Sequence, residues 1–260
     1  MPAPDSVEDL GRFRDVLARR SFRQGRMERL LRRLLRTGAW LAGWQLEVEG
    51  MEALPRDPGR PAAAGCIVVP APHRAWLEPF LLLWAWPGDA ARLVWLADGR
   101  TATRSRWRRW LLPRIGIIPI ARGAGGPRAY AELAARVLEA GAAVVIFPEV
   151  GPPSEPARTR RISAGFSYLA RRAGAPIIPV VIGGTHHSVR GSSFSLQVLD
   201  PRDGGAADPD PFGSAARTEV HELAERYAHV LNERLPAHTA RADRLAPPQD
   251  RWTWLARLFS

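Results

Sequence analysis

The stretch Ala142-Ala143-Val144-Val145-Ile146-Phe147 is apolar without interruption, opens after Gly141 and stops at Pro148-Glu149. An unbroken apolar run of this length between two breakers reads as a buried strand rather than a half-solvated one. Such a strand needs other elements packed over it, and the chain supplies them in alternation. Residues 66–70, 93–97, 116–121 and 176–184 read as further strands, and residues 79–86, 127–140, 162–173 and 214–235 as helices. Residues 46–50 alternate like a short strand, and residues 194–199 read as an edge strand. The alternation predicts an α/β class, a mostly parallel central sheet with flanking helices, preceded by a basic amphipathic N-terminal helical region. Residues 1–50 form that N-terminal region in this division, residues 51–235 the α/β domain, and residues 236–260 a polar linker with an aromatic tail.

Ligands of open α/β sheets gather at the carboxyl ends of strands. Glu149 is placed there by the run that ends in Phe147. A second such place is Pro72-His73-Arg74-Ala75-Trp76-Leu77-Glu78-Pro79-Phe80, between the apolar runs 66–69 and 80–84. Residues five apart on a helix point about 140° away from one another, so a meeting of His73 with Glu78 requires a non-helical turn. Pro79 disfavours helix before it and suits a first helical turn, which puts the helix start at Pro79 and Glu78 near its N-cap. His73 then leaves the strand with Glu78 able to hold its ring, a base and an orienting carboxylate. A surface histidine and a capping glutamate meeting by chance is the other reading of these residues alone.

Charge narrows the partners. All 37 basic side chains are arginine, with no lysine in the chain, which excludes Schiff-base and P-loop lysine chemistry. The net charge of +11 attracts polyanions, and ten tryptophans favour a lipid surface over nucleic acid, for which no recognition motif is present. No apolar run approaches the ~18 residues that span a bilayer, and the acidic start of the chain is unlike a signal peptide. Association with the cytoplasmic face of a membrane, lying on it, is the expectation. Residues 9–44 repeat leucines at helical spacing among Arg29, Arg32, Arg33 and Arg36, with Gly38 bending or dividing the helix. That pattern fits a membrane-surface helix and equally a helix packed on the domain with a solvated arginine face. The lone Cys66 excludes an internal disulfide and reads as a core filler. His186 and His187 lack a carboxylate at metal-ligand spacing, so no metal is expected there.

Four signals in order carry more than any one of them. His73-x4-Glu78, Gly116-x-x-Pro119-Ile120-x-Arg122, Phe147-Pro148-Glu149 and Ile178-Pro179-Val180 resemble the four motifs of the glycerolipid acyltransferases, which include the lysophosphatidic acid acyltransferases. The resemblance covers about residues 64–187. It implies that His73 is the general base, that Glu78 orients its imidazole, and that Arg122 binds the acceptor near its phosphate. Pro148 and Glu149 would help shape the acceptor site, and Pro179 would support the pocket. The reaction implied moves a fatty acyl group from acyl-coenzyme A or acyl carrier protein to a hydroxyl of a lysophospholipid such as 1-acylglycerol-3-phosphate, in phospholipid biosynthesis, with no metal or organic cofactor. A lipid-binding or scaffold protein that keeps the fold without the chemistry is the alternative.

Two departures stand out. Glu78 occupies a place where Asp is usual, adding one methylene. After Glu149 the motif normally continues with Gly, Thr and Arg or Ser, where this chain has Val150-Gly151-Pro152. Arg158, Arg160 and Arg161 follow closely and are the candidates for replacing that contact with the acceptor.

Overall fold

The computed structural model describes residues 26–54, 65–73, 77–87, 93–98, 116–120, 126–149, 162–185, 191–208 and 214–245. Helix α1 (Arg26–Leu41) leads into strand β1 (Gln45–Glu49), followed by β2 (Ile67–Ala71), α2 (Leu77–Ala85), β3 (Leu93–Asp98) and β4 (Ile117–Ile120). Then come α3 (Gly126–Glu139), β5 (Ala143–Val145), α4 (Gly165–Ala173), β6 (Ile177–Gly183), β7 (Ser193–Val198) and α5 (Ser214–Leu245).

The seven strands form one sheet in the order β1, β7, β6, β2, β5, β3, β4. From β6 to β4 every neighbouring pair is parallel, and β7 joins β6 antiparallel while β1 runs parallel to β7. The mostly parallel α/β sheet expected from the apolar runs is therefore what forms. Strand alternation divides its side chains between two cores. Ile67, Val69, Val144, Ile177 and Val181 pack with Leu138 of α3, Phe166 of α4, and Tyr227 and Leu231 of α5. Val68, Val145, Trp95, Ile178 and Val180 pack on the opposite face with Leu81, Leu82 and Trp86, and Leu31 and Leu35 of α1 close that layer. Cys66 is fully buried, and burial pushes its thiol up to about 12, which makes it a filler and not a nucleophile.

Four expectations about elements change. α1 runs without a break through Gly38, whose added Cβ would meet nothing, so the glycine there costs only its conformational entropy. β7 is not an edge strand, because β1 lies outside it; the sheet thus begins at Gln45, inside the segment assigned to a separate N-terminal region. α2 starts at Leu77 rather than Pro79, so Glu78 sits within its first turn instead of capping it. Finally, α5 passes through Pro236 to Leu245, across the segment expected to be a linker.

An interior proline costs a helix about 3 kcal/mol, so something must outweigh it. The buried stripe Val220, Ala224, Tyr227, Leu231 and Leu235 continues at helical spacing through His238 and Ala242. Beyond the proline, Arg241 also reaches β1, with its Nε 2.7 Å from Glu47 Oε2 and its Nη1 2.6 Å from Glu49 Oε1. The polar members of the stripe hid it from a reading based on apolar periodicity.

Candidate active site

His73 lies two residues beyond the end of β2, and Phe147-Pro148-Glu149 follow the end of β5. β2 and β5 are parallel neighbours in the middle of the sheet, paired as Ile67 with Val144 and Val68 with Val145. Both segments therefore leave the sheet at its carboxyl edge and meet there. The strand pairing brings together residues separated by 76 positions in the chain: the main-chain N–H of His73 donates to Glu149 Oε2 at 3.2 Å.

Glu78 approaches from the other side. Its side chain is fully buried in the first turn of α2, where a helix N-terminus favours a carboxylate, and its Oε2 lies 3.4 Å from His73 Nδ1. The contact is longer than a tight hydrogen bond. The imidazole is 43 % exposed, so its Nδ1 edge lies against a carboxylate held in the core while the rest of the ring is open to solvent. With Nδ1 turned to the carboxylate, Nε2 is the nitrogen left to exchange a proton. Phe147 lies flat against the ring, centroids 4.1 Å apart and planes 27° from parallel.

Pro148 is buried, and its carbonyl accepts from the main-chain N–H of Ser163 at 2.8 Å. Glu149 forms an antiparallel bridge with Ile162, which holds Ile162 beside the site. Pro179 lies inside β6, opposite Val69 of β2, and belongs to the sheet that leads to the His73 turn rather than to the turn itself. Arg122, Arg158, Arg160 and Arg161 lie outside the described residues, as do Val150-Gly151-Pro152, His186, His187, the Arg- and Trp-rich residues 100–114 and the tail 252–259. Among the described residues no group of three or more His, Cys, Asp or Glu side chains is placed to hold a metal ion.

The structure adds two residues to which the motifs assigned no role. One is Phe147 as a partner of the imidazole, foreshadowed by its place between an apolar strand and Pro148. The other is Trp95, which lies beneath Phe147 at a centroid distance of 6.5 Å and for which the sequence offers no signal beyond burial.

An imidazole paired with a buried carboxylate at the carboxyl edge of a parallel sheet, flanked by helices on both faces, is an arrangement suited to the site of an α/β enzyme domain. The chain belongs to the acyltransferase family, whose profile matches residues 45–183, more than half of its length. Its fold is similar to that of the 1-acyl-sn-glycerophosphate (LPA) acyltransferase PlsC from Thermotoga maritima, with a TM-score of 0.51 and 22 % identity over 78 % of this chain and 79 % of that one. No curated protein sequence matches it significantly.

Proposed function

We propose that the chain transfers a fatty acyl group from an acyl thioester to a hydroxyl of a lysophospholipid-like acceptor, working as a peripheral enzyme on the cytoplasmic face of an anionic membrane. The observation that carries this reading is the His73–Glu78 contact at the carboxyl edge of the sheet, in a chain of the acyltransferase family.

In this reading Nε2 of His73 takes the proton of the acceptor hydroxyl as its oxygen attacks the thioester carbonyl. Glu78 holds the ring through Nδ1 and steadies the positive charge it acquires. The C–O bond forms, the C–S bond breaks, and the departing thiolate takes the proton back from the imidazolium. All of this is proton exchange and acyl transfer, for which no metal or organic cofactor is invoked. Arg122, with Arg158, Arg160 and Arg161 in place of the usual third-motif residues, supplies the charge for an acceptor phosphate. Coenzyme A and acyl carrier protein present the same thioester carbonyl, so either fits as donor.

The membrane part of the proposal is supported by α1. Its inner face packs on the domain through Leu31, Leu35 and Ala39, while Leu30, Leu34, Trp40 and Leu41 are exposed, Trp40 by 77 %. Arg29, Arg33 and Arg36 are also exposed beside that apolar band, the arrangement of an interfacial helix. Among the described residues no helix is long and apolar enough to cross a membrane.

Purified protein incubated with labelled acyl-coenzyme A or acyl carrier protein and a panel of lysolipids tests the reading. Acyl transfer is expected, falling by about 10²- to 10⁴-fold in His73→Ala, the usual contribution of a general base, and strongly in Glu78→Gln. Lipid binding without turnover, equal in wild type and His73→Ala, would favour a scaffold. Turnover independent of any acceptor would indicate thioester hydrolysis.

A further inference from the structure

We propose that Trp95, acting through Phe147, is a positioning residue for the His73 imidazole, the three rings forming one column from the core to the base. The proposal rests on the acyl-transfer reading of His73 and assigns that site a residue outside all four motifs.

Register builds the column. Trp95 of β3 pairs with Val145 of β5, which pairs in turn with Val68 of β2, so the three share one face of the sheet. All three lie in the core beneath α2. Two residues beyond Val145, Phe147 packs against the same core, where strand alternation would return it and where the residue before a proline favours extended backbone. The rings then lie nearly parallel. Trp95 and Phe147 are 6.5 Å apart with planes 16° from parallel, and Phe147 and His73 are 4.1 Å apart with planes 27° from parallel.

The mobility of the column decreases downward. His73 is 43 % exposed and turns about a torsion with broad preferences, whereas Trp95 is only 8 % exposed and is fixed by the core. Glu78 holds one edge of the imidazole, and an edge contact leaves rotation about that line free. A ring laid flat against Phe147 removes it. Phe147 is itself part-exposed, so Trp95 supplies the surface that keeps it in place. Trp95 does not touch the base, and its loss acts on the orientation of Nε2, hence on kcat more than on KM.

Imidazole proton resonances of His73, assigned by their disappearance in His73→Ala, report the stack through ring currents. Wild-type protein is expected to show these resonances shifted upfield, with Overhauser contacts to the Phe147 ring; the absence of such contacts overturns the proposal without any variant. Phe147→Leu is expected to abolish the upfield shift and lower kcat about tenfold with KM within about twofold. Trp95→Leu should do the same to a smaller extent, and Trp95→Phe, which keeps an aromatic plane, should recover both. Resonances and kcat unchanged in Trp95→Leu, or equal losses in Trp95→Leu and Trp95→Phe, overturn it, the second showing that Trp95 only fills space. Wild-type protein without acyl transfer would remove the functional reading, and the ring shifts would still decide whether the column holds the imidazole.

Discussion

At the scale of single residues, Glu149 stands out because its contact with the His73 turn is made through the main chain. A carboxylate accepting the His73 N–H fixes where the turn leaves β2, independently of what the imidazole does. A hydrogen bond to a charged group contributes about 1.5–3 kcal/mol, so Glu149→Ala is expected to lower kcat/KM by roughly 10- to 100-fold if all of it is expressed at the site. Glu149→Gln keeps an acceptor oxygen in place and is expected to lose less. Equal losses in the two variants, measured by steady-state kinetics, would instead assign Glu149 a role that requires its charge, such as contact with the acceptor. Glu78 and His73 were recognisable from spacing and the proline that follows. The His73–Glu149 contact was not, because only the pairing of β2 with β5 sets two such distant positions side by side.

At the scale of elements, the second half of α5 is held by a polar network that spacing alone does not reveal. Gln197 of β7 donates from its amide nitrogen to Glu49 Oε2 at 3.4 Å, which leaves its amide oxygen to accept from His238 Nε2–H at 2.8 Å. Nδ1 of His238 then accepts from the Ser195 hydroxyl at 3.3 Å. These are the contacts of the neutral ring with its proton on Nε2, and its pKa lies below the ordinary imidazole value of 6.5, chiefly through burial, with Glu49 acting against the shift and Arg241 and Arg234 with it. The unfolded chain protonates this histidine at the ordinary value. Stability is therefore full above about pH 6.5 and declines as the pH falls below it, levelling off below the folded value. Thermal unfolding followed from pH 7.5 to pH 5 should show this loss, and His238→Gln should flatten part of it. An unchanged slope in His238→Gln would place the titrating group elsewhere. A neighbouring constraint is steric: a Cβ on Gly183 would lie 2.6 Å from Ser195 Oγ and 2.8 Å from the His238 carbonyl, so Gly183→Ala is expected to lower Tm by displacing α5 from β6 and β7.

At the scale of the whole molecule, the sheet separates two tasks. α3, α4 and α5 seal one face with a continuous apolar core, whereas α2 on the other face carries Glu78 into the site and α1 covers the same core with its inner side. Leu30, Leu34, Trp40 and Leu41 are exposed on the outer side of α1, on the same molecule whose His73 turn lies at the sheet edge. Trp40→Ala combined with Leu34→Ser is expected to weaken sedimentation with anionic vesicles by about tenfold while leaving Tm within a few degrees, since both side chains are exposed. Binding to the wild type should fall with added salt, because arginine attraction to the surface is screened over about 10 Å at 0.1 M. Vesicle binding unchanged in the double variant would assign membrane contact to another part of the chain.

The sequence by itself determined the α/β class, the succession of most elements and the pairing of His73 with Glu78. Each of these is written in local terms: apolar runs, breakers, and short motifs whose residues lie within a few positions of one another. The tertiary structure decided what depends on contacts between distant positions. It set β1 outside β7, carried α5 past Pro236, gave Glu149 the main-chain N–H of His73 and placed Trp95 beneath the ring that lies against the base. Periodicity records which side of an element is buried, but not what buries it, and those partners exist only once the strands have paired.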